Sequence, residues 1–262
     1  MWATRCMHEA QLYEDNCFIT LTFDEEHLPN DYSLNHDYFQ KFMKRLRKEI
    51  APQKVRYFMC GEYGDDSWRP HFHAILFNYN FPDKVKYTVG DSENPYFISE
   101  QLYRLWPYGF HLIGECAFDT AAYVARYCVK KITGDEAEAH YNRIITDWNE
   151  VTGEITFIKE VELTPEYARM STNPGIGKDW YEKFKSDLYP SDFIVTNEGK
   201  KVSIPHYYDK LLEREDEYQL KQQKEARKMA AKLNSQETTR DRLLAREFCK
   251  KQQIINLKRN KQ

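Results

Sequence analysis

The order of short strands and helices between Cys17 and Cys116 constrains this chain most. CFITLTF (Cys17–Phe23) is a run of β-branched and aromatic residues that predicts a strand. In SLNHDYFQKFMKRLRKEI, the residues Phe39, Phe42, Met43, Leu46 and Ile50 recur at helical spacing, Ser33 or Asn35 can cap the start, and Pro52 stops it. VRYFMCGE (Val55–Glu62) and HFHAILF (His71–Phe77) read as two strands joined by the polar loop YGDDSWRP. SEQLYRLW predicts a helix ended by Pro107 and Gly109, and FHLIGEC (Phe110–Cys116) a further strand. The order β-α-β-β-α-β predicts an α+β fold, a ferredoxin-like (split βαβ) antiparallel sheet with helices on one side.

A third helix, AAYVARYCVKKIT, follows, with Asp119 or Thr120 as its cap and Gly134 as its end. Beyond Gly134 the pattern changes. ITDWNEVTGEITFI reads as a hairpin around Thr152-Gly153, NPGIGKDWYEKF as a turn into a helix, and FIVTNEGKKVSIP as a second hairpin. From Tyr207 the chain predicts a long, charged helix. The expected organisation is a catalytic domain over 1–135, an accessory α/β region over 136–206 packed on it, and a charged helical tail over 207–262.

An apolar fraction of 41 %, with 15 % aromatic residues, is ample for a packed core in 262 residues. No run of about 18 apolar residues and no signal-like start is present, so a soluble intracellular protein is expected. The six cysteines lie far apart without a CxxC pair and read as reduced thiols. Charge is unevenly distributed. From Lys210 to Gln262 there are 15 Lys and Arg against 8 Asp and Glu, a surplus of seven in a chain of net charge −3, so the first 209 residues carry about −10. Any grip on nucleic acid in the body is therefore local. The helix bearing Lys41, Lys44, Arg45, Arg47 and Lys48 is the candidate for holding a DNA backbone, and a solvated helix face is the ordinary alternative.

His71 and His73 stand two apart on a strand otherwise suited to burial, so both imidazoles share one face. Two imidazoles with one carboxylate hold a divalent cation and leave positions open for substrate. Glu62, at the end of the neighbouring strand, is the preferred third ligand, and Asp65 and Asp66 are loop alternatives. On the third helix Tyr123 and Tyr127 share a face. Arg126, Lys130 and Lys131 crowd the same two turns, an unusual setting for an apolar stripe. Phenols beside cations suit nucleophilic attack on a phosphodiester, because the cations favour the phenolate and balance phosphate charge.

FITLTF, RPHFHAILF, YVARYCVKK and NPGIGKDWYEKF together resemble the motifs of HUH-type rolling-circle replication initiators, and more narrowly those of gokushoviruses, single-stranded DNA phages of the microvirus group. The similarity extends to roughly residue 208, and members of the phage branch carry a further Cys-containing segment before the position of Trp2. The resemblance implies an HUH endonuclease fold over 1–135, with Mg2+ or Mn2+ on His71, His73 and Glu62. It further implies that Tyr127, with Lys130 one turn beyond, cuts single-stranded or locally melted origin DNA and forms a 5′-phosphotyrosine link. Tyr123 then cuts the regenerated origin, and the displaced strand is joined into a circle. Lys44, Arg45, Arg47, Lys48, Arg126 and Lys131 are the candidate DNA contacts. No GxxxxGK[ST] loop is present, so a host helicase is implied alongside the host DNA polymerase, in the cytoplasm of the bacterial host, with no membrane partner.

Three other classes compete. A relaxase or HUH transposase would use the same chemistry on plasmid or mobile-element DNA, and a transposase usually has one tyrosine. A non-catalytic nucleic-acid-binding module on a ferredoxin-like sheet would need exposed aromatics where the histidines stand. A zinc hydrolase would want a third histidine or a HExxH helix.

Overall fold

A computed structural model describes residues 1–64, 67–89, 95–148, 152–153, 155–189, 191–196, 199–233 and 235–256. It divides into two compact units, Met1–Lys183 and Phe184–Gln262.

The first unit opens with α1 (Trp2–Ala10) and β1 (Asn16–Phe23), then α2 (His36–Glu49), β2 (Arg56–Tyr63) and β3 (Pro70–Phe77). A strand pair, β4 (Val85–Val89) and β5 (Pro95–Ile98), precedes α3 (Glu100–Leu105), β6 (Gly109–Gly114) and α4 (Phe118–Lys130). Next come α5 (Glu136–Tyr141), β7 (Asn142–Trp148), β8 (Ile155–Glu162), β9 (Tyr167–Met170) and α6 (Lys178–Leu188). Seven strands form one sheet in the order β4-β5-β6-β1-β3-β2-β9, and every pair is antiparallel. The expected hairpin is the separate β7–β8 pair.

The caps explain where the helices begin. Asn35 Oδ1 accepts the Asp37 N–H at 2.9 Å and starts α2. For α4 the cap position is Ala117, whose N–H is accepted by Thr120 Oγ1 at 2.9 Å. Neither Asp119 nor Thr120 is itself the cap residue. Gly109, at φ +141°, lets β6 begin against β1: a Cβ there would stand 2.3 Å from Asp24 N.

The expectation of helices on one side is corrected, because both sheet faces are covered. On one face α2 and α3 pack Phe39, Phe42, Leu46 and Leu102 against Leu21, Phe72 and Leu76. On the other, α1 and α4 pack Cys6, Ala121 and Val124 against Phe58, Ile75 and Phe77. The reason is in β3, which is buried at every position, so each of its faces needs an apolar cover.

α1 is tied down by polar contacts. Glu9, fully buried, accepts the Gly177 N–H and pairs with Arg56 at 2.6 Å, while Arg5 makes two hydrogen bonds to the Ile176 carbonyl.

The second unit contains the hairpin β10 (Phe193–Val195) and β11 (Lys201–Ser203), then α7 (His206–Glu215), α8 (Glu217–Leu233) and α9 (Arg240–Asn256). The expected single long helix is thus three. Asp216 breaks it, because its carboxylate accepts the Gln219 N–H at 2.8 Å and caps α8. Arg227 bridges Asp192 and Asp209, which raises its already high pKa further. No described helix is long and apolar enough to cross a membrane.

Candidate functional site

β2 and β3 pair so that Glu62 lies opposite His71, and period-two alternation turns Glu62, His71 and His73 toward α4. His71 Nε2 and His73 Nε2 lie 2.7 and 2.8 Å from the same oxygen, Glu62 Oε1. All three residues are buried, His73 completely. Burial alone would raise the Glu62 carboxyl, but hydrogen bonds from the two imidazoles outweigh it and bring it down to about 2. The carboxylate is therefore charged throughout the neutral range.

The outer contacts fix the rings. His71 Nδ1 donates to the Arg69 carbonyl at 3.1 Å, and His73 Nδ1 lies 2.9 Å from Thr20 Oγ1. With its proton on Nδ1, a neutral His71 aims the Nε2 lone pair at a carboxylate oxygen, which is also an acceptor. The approach is favourable only with positive charge at Nε2, from a proton or from a cation. Ligand atoms of the three residues lie within 4.8 Å of one another, so the group could hold a metal ion.

α4 brings a tyrosine to this group. Tyr123 OH is 3.3 Å from Glu62 Oε1 and 3.4 Å from His73 Nε2, and its ring meets the His73 ring edge-on at 5.0 Å. Arg126, exposed one turn away, has its guanidinium carbon 6.0 Å from the Tyr123 ring. Tyr127 and Lys130 lie on α4, but their side chains are outside the described residues, as are Asp65 and Asp66. Lys131 follows α4 and is exposed.

The other cations are elsewhere. Lys44, Arg47 and Lys48 are exposed on α2, which covers the opposite face of the sheet. Arg45 is half-buried there and donates to the Leu105 carbonyl at 2.9 Å. The structure therefore joins Glu62, His71, His73, Tyr123 and Arg126 and separates them from the α2 cations. Thr20 and the Arg69 carbonyl were not singled out from the sequence. For Thr20 the available signal was its even spacing from Phe18 on a strand neighbouring the histidines.

These features define a mixed α/β protein in which a buried Glu-His-His group meets a tyrosine-bearing helix. The family model for the replication-associated protein ORF2 matches residues 16–132, which span the group and that helix. The chain is similar to replication-associated protein ORF2 of Spiroplasma virus 4, at 33 % identity over 88 % of this chain and 69 % of that protein. It is also similar to replication-associated protein VP4 of Bdellovibrio phage phiMH2K, at 32 % identity over 79 % of this chain, and to replication-associated protein ORF4 of Chlamydia phage 1, at 25 % over 80 %. The chain belongs to this family of phage replication-associated proteins, which bears out the gokushovirus resemblance of its motifs. It spans 60 % of the Bdellovibrio phage protein and 49 % of the Chlamydia phage protein. No solved structure matches it.

Proposed function

We propose that the chain is an HUH endonuclease that starts rolling-circle replication of a phage genome by nicking single-stranded or locally melted origin DNA. The observation that carries the reading is the Tyr123 hydroxyl standing 3.3 Å from a buried carboxylate shared by two histidines. The strand order β6-β1-β3-β2, with α2 and α3 as crossovers on one face, supports the ferredoxin-like arrangement of such enzymes. We assign nicking to 1–135, an accessory role to 136–206, and a tail to 207–262.

His71, His73 and Glu62 are the residues that would hold a divalent cation, Mg2+ or Mn2+. When bound, the ion polarises the scissile phosphate and balances its charge. The tyrosine oxygen attacks phosphorus, the bond to the 3′ oxygen breaks, and a 5′-phosphotyrosine and a free 3′-OH result. The phosphodiester energy is kept in the adduct, so later attack by a 3′-OH closes a circle without ATP. Both tyrosines serve as nucleophiles. Spacing to Lys130 favours Tyr127 for the first cut, whereas the hydroxyl seated at the group favours Tyr123, and we adopt Tyr123. Arg126 and Lys131 are placed to meet DNA near α4. A host polymerase extends the 3′-OH and a host helicase opens the duplex, in the bacterial cytoplasm. Relaxases and transposases share this chemistry, and family membership favours phage replication.

The test is a nicking assay on single-stranded oligonucleotides tiled across the genome that encodes the chain, read on a denaturing gel. With Mn2+ the protein is expected to cut at one sequence and remain joined to the 5′ side. EDTA, or His71→Ala with His73→Ala, removes the product. Tyr123→Phe lowers first cleavage at least about 100-fold, since the ring stays and only the nucleophile is lost. Full-rate cutting by the double histidine variant would refute the metal assignment. A larger loss in Tyr127→Phe than in Tyr123→Phe would reverse the order of the tyrosines.

A further inference from the structure

The α2 cations pose a problem for any single path of DNA. Lys41, Lys44 and Lys48 follow one another at helical spacing and are exposed, as is Arg47. The helix buries Phe39, Phe42, Met43 and Leu46 against the sheet face that α4 does not touch, so a strand lying at Tyr123 is separated from these lysines by the sheet itself. The concentration of charge is local. The first 209 residues carry about −10, yet this helix presents five cations against Asp37 and Glu49. Glu49 is itself engaged by Arg104 at 3.1 Å and by Gln101 at 2.9 Å.

We infer that α2 grips the phosphate backbone of a second DNA segment, the duplex flanking the nick, while the scissile single strand occupies the opposite face at Tyr123. The side chains exposed on this helix decide between duplex and single strand. Single-strand grooves combine cations with aromatic rings on which bases stack. The exposed positions of α2 hold Asp37, Gln40, Lys41, Lys44, Arg47, Lys48 and Glu49, with no aromatic among them. The nearby Tyr38 is half-buried, with the Lys41 ammonium 5.8 Å from its ring. Point charges in a row without stacking surface suit a duplex, whose bases are already stacked and whose phosphates are regularly spaced. Arg47 continues the row toward Lys54, both lining a concave surface with Gln53, Asn78 and Asn173 at the far end of the sheet from Glu62.

This inference deepens the nicking reading and rests on it for the identity of the second segment. The test is the full chain carrying Lys41→Glu, Lys44→Glu and Lys48→Glu together, with Lys→Gln at the same positions as the milder variant. Binding of a mixed-sequence duplex and of one of its strands is measured by fluorescence anisotropy at several salt concentrations, and cleavage on the shortest oligonucleotide the wild type cuts. The reversal variant is expected to bind duplex about tenfold or more weakly near 0.1 M salt. Its slope of log affinity against log salt should be shallower by about 3, from roughly 0.9 per lost phosphate contact. Oligonucleotide cleavage should stay within about twofold of wild type, which also reports an intact fold. The Gln variant should fall between the two in duplex binding. Unchanged duplex affinity and slope would show only a solvated helix face. An equal loss on single strand and duplex, or a parallel loss of oligonucleotide cleavage, would also overturn the inference. If the wild type forms no adduct on any oligonucleotide, the nicking reading fails, while the anisotropy measurements still decide whether α2 binds duplex.

Discussion

His8 shows how a buried titratable side chain ties the stability of this chain to pH. It is 4 % exposed and stacks on Trp180 with ring centroids 3.5 Å apart, and burial lowers its pKa to about 4. A folded-state pKa below that of the unfolded chain means the unfolded chain takes up the proton first. Stability should therefore be intact above about pH 6.5 and decline as pH falls toward 4, at up to about 1.4 kcal/mol per pH unit. His8→Phe should flatten the dependence of the thermal midpoint over that window, and an unchanged slope would show that His8 is already protonated when folded. The catalytic candidates obey simpler rules. His71, His73 and Glu62 were legible because alternation on a strand fixes which side chains meet, and Glu62 needed only the register of β2 on β3. Thr20 was not legible, since a threonine in a strand ordinarily reports β propensity, and its contact with His73 depends on β1 lying beside β3.

Elements read most clearly where local pattern and tertiary packing agreed. β1, α2, β2, β3, α3, β6 and α4 stand where periodicity put them, whereas α1, the β4–β5 pair and β9 did not announce themselves. α1 owes its place to Arg5 and Glu9, charged residues buried by contacts more than 160 positions away, which no local window contains. β9 is four residues long and adds to the sheet edge beside β2. The segment leading to it also secures the end of α4. Tyr141 is buried, its hydroxyl accepts the Ile132 N–H at 3.1 Å, and it donates to Glu166 Oε2 at 2.6 Å. Tyr141→Phe removes both bonds and leaves a buried carboxylate oxygen without that donor. The expected cost is about 1–3 kcal/mol, read as a lower urea midpoint with an unchanged m value. A midpoint equal to wild type would mean that water replaces the hydroxyl at no cost.

At the scale of the whole molecule, charge and burial are distributed in opposite senses. The first unit holds the acidic body and most of the apolar core, while the C-terminal helices hold the surplus of Lys and Arg. α9 is the extreme case: Leu243, Leu244 and Phe248 are exposed, and none of its described residues is buried. An element that removes so little apolar surface from water contributes little to folding, because stability follows buried area. Its charge acts instead at long range. Residues 240–262 contain eight Lys and Arg against Asp241 and Glu247, so removing them leaves a chain six charges more negative. A chain ending at Thr239 is therefore expected to keep its thermal midpoint within about 2 °C, since surface changes away from packed features are usually worth less than about 0.5 kcal/mol. It should also bind DNA of any sequence more weakly, with a shallower salt dependence, because that term scales with the phosphates neutralised. Calorimetry and anisotropy on the same preparation separate the two effects. A large fall in the midpoint would mean that α9 packs on the rest of the chain in solution. An unchanged salt slope would mean that its cations never approach DNA, and the basic surplus of the tail would then need another partner.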